Sequence, residues 1–266
     1  MSLTIYRKEL GKNIWLILIP IALVGFILLL SGIWPEFKES AEELDKLLDS
    51  PLYQAMLSEG AIEAGLGSFE GFYGMELFAI MDFAFMTLTI FLGAGIIARE
   101  VDHKTFDTIL SYPIPRWKLL LAKFAAINTY IFMIPFFVFI PITLSAAIFE
   151  ENIDYLGLFL AFVSRCAIFF ALSALCLLCA SIFLRPRLAY STAGVITIGS
   201  YILGSLAALV ESLEFLRNLS LFYYLDGTTI WLSGHLPLDE LVIVLGTGLA
   251  ALVAALVIFQ YRELAY

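Results

Sequence analysis

Six stretches of this sequence, near residues 14–33, 76–98, 127–149, 156–184, 188–210 and 241–260, approach or exceed the roughly twenty apolar residues that carry a helix across a bilayer. A water-soluble fold has no interior large enough for six such blocks. The chain is 61% hydrophobic and 15% charged, with a mean hydropathy of +0.94, whereas globular proteins are about half apolar. Inside a bilayer every backbone donor and acceptor must be satisfied without water, which a helix does within its own segment. The blocks therefore predict an all-α integral membrane protein with six transmembrane helices, built as a single transmembrane domain over residues 1–266 with no soluble catalytic domain. The fourth block carries Arg165 near its middle, but no Gly, Pro or turn cluster interrupts 161–180, so it reads as one tilted helix.

Lys and Arg set the orientation. Arg7, Lys8, Lys12, Arg99, Lys104, Arg116, Lys118, Lys123, Arg185, Arg187 and Arg262 all fall on one side of this plan, against Lys38, Lys46 and Arg217 on the other. The positive-inside rule then puts both termini in the cytoplasm of a multi-pass protein of the cell membrane. The formal charge of −9 fits this topology, because Glu36, Glu39, Glu42, Glu43, Asp45 and Asp49 lie in a segment assigned outside. The first apolar run is long and lacks a small-x-small cleavage pattern at 31–34, so it reads as an uncleaved anchor. Cys166, Cys176 and Cys179 all fall in the fourth block and read as buried structural thiols.

The segments between the spans are short and patterned. Ile5, Tyr6, Glu9, Leu10 and Ile14 alternate with Arg7, Lys8 and Lys12 at helical spacing, which predicts an N-terminal amphipathic surface helix or an ordinary basic flank. After span one, Phe37, Ala41, Leu44 and Leu48 recur at three and four residues and predict an outer amphipathic helix. Gly65, Gly67, Gly71 and Gly74 then predict a flexible return into span two. In span five Ala193, Thr197, Ser200, Gly204 and Ala208 share one face, as do Gly246, Ala250 and Ala254 in span six; such stripes allow close helix packing within the chain or against a second copy.

Two ionisable residues lie well inside apolar blocks. Counted from the outer surface at about 1.5 Å per residue, Asp82 sits roughly 9 Å deep and Arg165 roughly 13 Å. A lone charge at such depth costs a few kcal/mol or more, so the two are expected to pair, to snorkel separately, or to line a wet path. Other chemistry is sparse. His103 and His235 lie on opposite sides and have no second ligand at metal spacing. The basic residues follow the membrane boundaries, which gives no footprint for nucleic acid.

The inner segment between spans two and three is the densest polar feature. Val101, Thr105, Phe106, Ile109 and Leu110 form an apolar face when wound as a helix, with Asp102, Lys104 and Asp107 off it. Pro113 and Pro115 then stop that helix, and Trp117, Leu120, Leu121 and Phe124 begin a new run. A helix, a proline corner and a second helix make a stiff lever suited to passing force from the cytosol to spans two and three.

Arg99-Glu100, Lys104 to Arg116 with its Thr105-Phe106-Asp107 and Pro113, then Leu119-Leu120 and Lys123, resemble the signature of ABC-2-type transporter permeases. The resemblance extends to the six-span plan, the N-terminal surface helix, the large outer segment after span one, the stretch 219–227 and the ending Tyr261-Arg262-Glu263-Leu264. It departs at Lys104, where the family often has Gly, at Ile109-Leu110, which replaces a leucine pair, and at Pro115, where Ser is common before the Arg. The resemblance implies a non-enzymatic subunit of an ATP-driven exporter. It works with a second permease copy, as homodimer or close heterodimer, and with a cytosolic ABC ATPase. Coupling would fall to a cytoplasmic coupling helix within Glu100–Arg116, with Thr105, Asp107 and Arg116 as polar contacts, Phe106 or Leu110 as an apolar knob, and Pro113 as the corner. Arg116 and Lys123 serve equally well as anchors for anionic membrane lipid. No Gly-x4-Gly-Lys-Ser/Thr occurs, so ATP and Mg would be bound by the partner ATPase and no cofactor by this chain. An ion-coupled secondary carrier using Asp82 and a non-transporting anchor for an ATPase are the competing readings.

Overall fold

The computed structural model describes residues 3–40, 64–65, 67–74, 79–97, 115–183, 185–209 and 218–262. Among these, every regular element is helical. α1 (Leu3–Lys12) leads through a 3-10 turn at Ile14–Ile17 into α2 (Leu18–Ser31) and α3 (Trp34–Glu39). α4 (Phe69–Tyr73) precedes α5 (Ala79–Thr89), which continues through a π-helical turn at Ile90–Ala94. Then come α6 (Arg116–Ile148), α7 (Tyr155–Ile182), α8 (Pro186–Leu209), α9 (Leu221–Tyr224), α10 (Gly227–Ser233) and α11 (Leu238–Tyr261). Among the described residues, four helices are long and apolar enough to cross a membrane: Ile14–Ser31, α6, α7 and α11. The expected second span corresponds to a shorter apolar helix, Met81–Ile97. The expected fifth is α8, whose 24 residues are diluted by Ser191, Thr192, Thr197 and Ser200.

α7 is the hub. It is apolar all round and buried over most of its length, with Leu156 and Phe159 exposed near its start, and α6, α8, α10, α11 and the π turn all lie against it. Small residues set the closest approaches. A Cβ on Gly248 would stand 2.8 Å from Ala171 Cα, and one on Gly93, inside the π turn, 2.9 Å from Cys176 Cβ. The face of α11 that meets α7 is Val244, Gly248, Ala251, Leu252, Ala255 and Phe259. The small-residue face read from the sequence is the opposite one: Gly246 and Ala250 are exposed, and nothing lies within 4 Å of a Cβ built on Gly246. Residues 246 and 248 differ by about 200° around a helix, and in a helix apolar on every side the composition does not say which face is buried.

α6 begins at Arg116, well before the expected start of span three at 127, because no breaker separates Trp117 from the apolar run. Proline just ahead of the helix costs no hydrogen bond. At 33 residues and about 1.5 Å each, α6 is roughly 50 Å long, against about 30 Å of hydrocarbon. Pro135 and Pro141 lie within it, as helices inside a membrane bundle tolerate.

Where the glycines predicted a flexible return, the structure holds a buried aromatic layer. Ser68 caps α4 by accepting from Gly71 N at 2.9 Å, and Phe69, Phe72 and Tyr73 close on Trp34 and Phe37 with ring centroids 4.7–5.4 Å apart for Phe37–Phe72, Trp34–Phe72 and Trp34–Phe69. The Ser31 hydroxyl lies 2.6 Å from those of both Tyr73 and Ser145, tying α2, α4 and α6 together. Lys38 pairs with Glu151 at 2.6 Å over this layer, and Trp34 Nε1 donates to the same carboxylate at 3.1 Å. α3 covers only Trp34–Glu39 of the expected outer amphipathic helix; Ala41, Leu44 and Leu48 lie outside the described residues.

Two measurements follow. Gly248→Leu overpacks the α7–α11 contact and should cost about 1–3 kcal/mol, read as a lowered unfolding midpoint in detergent, whereas Gly246→Leu should leave the midpoint unchanged. Glu70 is pushed above the ordinary carboxylate value by burial, against its backbone hydrogen bond and with the Glu151 charge adding to the rise. A carboxyl raised in the folded state stabilises most below its unfolded value, and that contribution is lost as pH rises through the folded value. Glu70→Gln should therefore flatten the pH profile of the midpoint and raise it at neutral pH relative to the wild type.

Candidate functional site

Two constellations carry charge into this apolar bundle. The first is in its interior. Asp82 on α5 and Arg165 on α7 come together with Arg165 Nη1 3.0 Å from Asp82 Oδ2, at side-chain exposures of 6% and 4%. One turn along each helix, Phe85 and Phe169 stack with centroids 4.3 Å apart and are fully buried, which keeps water from that side of the pair. α10, capped by Asp226, also packs against α7. Asp226 itself is held in place as the cap of α10, accepting from Thr228 N at 3.2 Å and from the Thr229 hydroxyl at 2.6 Å. A buried pair of this kind adds little net stability over an apolar replacement, but losing one partner strands a charge in low dielectric. The contact ties α5 to α7 at this depth.

The second constellation gathers several helix ends at the basic end of the bundle. Lys123 Nζ on α6 lies 3.5 Å from Glu9 Oε1 on α1, with side chains 7% and 15% exposed. Tyr6 shares a hydrogen bond with Thr129 at 2.8 Å, and the Tyr130 hydroxyl donates to Leu10 O at 2.6 Å. α1 is thereby strapped along the root of α6. On the other flank, Arg116 donates to Arg262 O at 2.9 Å and Trp117 N to Gln260 Oε1 at 3.2 Å. The Arg262 guanidinium in turn donates to Ser181 O at 2.8 Å and to Ile182 O, capping the last carbonyls of α7. Glu9, Lys12, Asn13 and Lys123 also face Leu92 and Gly95, at and beside the π turn, across a recess of about 20 Å³, room for about one water.

Of the residues singled out for coupling, Arg116 and Lys123 stand at the root of α6. Glu100, Thr105, Phe106, Asp107, Leu110 and Pro113 lie outside the described residues. The α8 stripe packs within the chain: Ala193 and Thr197 are buried, with Thr197 Oγ1 3.6 Å from Cys176 Sγ on α7. Ser200 Oγ accepts from Leu221 N at 3.0 Å, and a Cβ on Gly204 would stand 2.6 Å from Ser220 Oγ. The side chain of Ala208 is outside the described set. Tyr6, Glu9, Tyr130, Gln260 and Arg262 went unremarked as site residues in the sequence, since their partners are mostly more than 80 positions away and leave no local spacing to read. Among the described residues, no group of His, Cys, Asp and Glu is placed to hold a metal.

A family model described as ABC-2 family transporter protein matches residues 3–264 of this chain. No curated protein matches it at a significant level.

Replacing one member of the interior pair, as in Asp82→Asn or Arg165→Leu, should cost roughly 3–5 kcal/mol, seen as a lowered unfolding midpoint and reduced yield. The exchange Asp82→Arg with Arg165→Asp should recover a large part of the loss. Additive damage in the double variant would show that each charge acts alone.

Proposed function

Since the chain belongs to the ABC-2 family of transporter proteins, its match running over residues 3–264, we propose that it is the permease half of an exporter driven by a separate cytosolic ATPase. It works as a pair of permease copies. Its six spans are α2, α5, α6, α7, α8 and α11, with both termini and the 98–114 segment on the cytoplasmic side. The ATPase docks on Glu100, Thr105, Phe106, Asp107 and Leu110, and it alone holds ATP and Mg. Arg116 is a further polar contact, and Pro113 with Pro115 forms the corner through which the movement of the ATPase reaches the membrane.

The observation that supports this reading is the root of α6. A docked ATPase pushing on the coupling segment pushes directly on Arg116, the first residue of an unbroken helix of 33 residues. That root is not loose. Lys123–Glu9, Arg116–Arg262 and Trp117–Gln260 tie it to α1 and α11, so a displacement there moves several helix ends together instead of bending one. Ties of this kind, with the Lys123–Glu9 pair buried among them, are what a transmission element requires, because interfaces that hold discrete packed arrangements pass small shifts on as rigid-body motion. The basic residues along α1 and at 116–123 support a cytoplasmic position for this end, through the positive-inside rule.

The test is co-purification with the ATPase together with its ATP hydrolysis in membranes. Phe106→Asp and Asp107→Arg should each lower recovery of the ATPase by at least about tenfold, an interface loss near 1.4 kcal/mol or more, with the permease midpoint unchanged. Pro113→Gly with Pro115→Gly should leave the ATPase bound and uncouple hydrolysis from substrate movement. Flux that continues without the ATPase and stops when ion gradients are collapsed would establish a secondary carrier instead.

A further inference from the structure

A groove of about 370 Å³ opens sideways between the C-terminal third of α7 and the N-terminal third of α8, a size within the ~300–1,000 Å³ of ligand clefts. Its walls are Leu175, Leu178, Ile182 and Phe183 from α7 and Val195 and Ile196 from α8. Ser191 and Thr192 also line it, but both hydroxyls donate back to Leu188 O, at 3.2 and 2.7 Å, and so offer the groove carbon instead of oxygen. From Leu175 to Phe183 it runs about 12 Å along the helix, too short to seat a partner helix of ordinary length, about 17 Å.

Its mouth has the opposite chemistry. Arg185 just precedes α8 and Arg187 lies in its first turn, both exposed. Arg187 precedes Ser191 by one helical turn, so the two share a face, and side chains lean toward a helix N-terminus, which aims Arg187 out over the mouth. Neither arginine makes an ion pair among the described residues. An apolar, acyl-sized slot beside two guanidinium groups that form no ion pair among the described residues is complementary to a molecule with a hydrocarbon tail and an anionic phosphate head. Guanidinium groups bind phosphate oxygens in pairs, whereas a second copy docking by two-fold symmetry would bring these cations toward their own counterparts.

We infer that the α7–α8 groove is a binding site for one anionic phospholipid, its phosphate held by Arg185 and Arg187 and an acyl chain lodged against Leu178, Ile182 and Val195. This does not depend on the ATPase or on the direction of transport. It needs only that the basic end face an anionic leaflet. The lipid would fill the wedge between α7 and α8 and fix their splay at that surface.

The test places the full chain in phosphatidylcholine nanodiscs containing a small fraction of phosphatidylglycerol that carries a diazirine on one acyl chain. After irradiation, adducts are mapped by peptide mass spectrometry. They should concentrate on 175–183 and 191–196, and fall about fivefold in Arg185→Gln and again in Arg187→Gln, the worth of one surface arginine against an anionic lipid. Thr192→Trp should fill the slot and remove the adducts while labelling on the exposed Val253 face persists. Three results would overturn the inference: equal groove labelling by phosphatidylcholine with the same diazirine; adducts no denser than around Val253; or a Val195→Cys variant that cross-links to a dimer while the groove stays unlabelled, which would put a second copy there. The arginine variants change exposed side chains only, so they remain informative even if Thr192→Trp lowers yield.

Discussion

A helix can sit at the centre of a membrane bundle only if it brings no uncompensated charge, and α7 brings one. Arg165 lies in the most enclosed helix of the molecule, and its contact with Asp82 at 3.0 Å makes that position tenable. From this the rest of the packing follows. With α5 held in register by the pair, Gly93 meets Cys176 and the π turn fits against α7. With α7 fixed, Gly248 brings α11 to within backbone distance on another side, and Ala193 and Thr197 of α8 close on a third. Helices in lipid gain nothing from hiding apolar surface from one another, so small residues and a few polar contacts decide which faces touch.

The two ends of the bundle are secured by different physics. At one, an aromatic layer built on Trp34, Phe72 and Tyr73 excludes water and carries the Lys38–Glu151 ion pair on its surface. At the other, the ties are mostly polar and reach across the sequence, from Glu9 to Lys123 and from Arg116 to Arg262. Dispersion and burial are insensitive to salt, whereas exposed charges are screened within about 8 Å at physiological ionic strength. Burial of Lys123 and Glu9 protects the innermost of these contacts from that screening.

Much of this architecture was legible in the sequence because a bilayer imposes a local rule. A run of apolar residues long enough to cross must be a helix, and a charge inside such a run must find a partner, so the long helices and the shared depth of Asp82 and Arg165 could be read without coordinates. Helix faces could not. α11 is apolar all round, and only the structure shows that Gly248, not Gly246, meets α7. The glycines near residue 70 pointed to slack chain, but the signal that prevailed was Phe69-Glu70-Gly71-Phe72-Tyr73, whose rings recur at three and four residues and fold as one buried turn. Contacts such as Tyr130 with Leu10 depend on elements far apart in the chain and have no counterpart in local spacing.

The length of α6 has a consequence for the membrane itself. A rod roughly 20 Å longer than the hydrocarbon it crosses must either lean or stand proud of the surface. Bilayer thickness therefore governs the height at which Arg116 emerges and the angle at which the rod leaves the membrane. Moved between a thin and a thick membrane, the same polypeptide would present Arg116 at a different elevation, which makes the surrounding lipid a determinant of its shape.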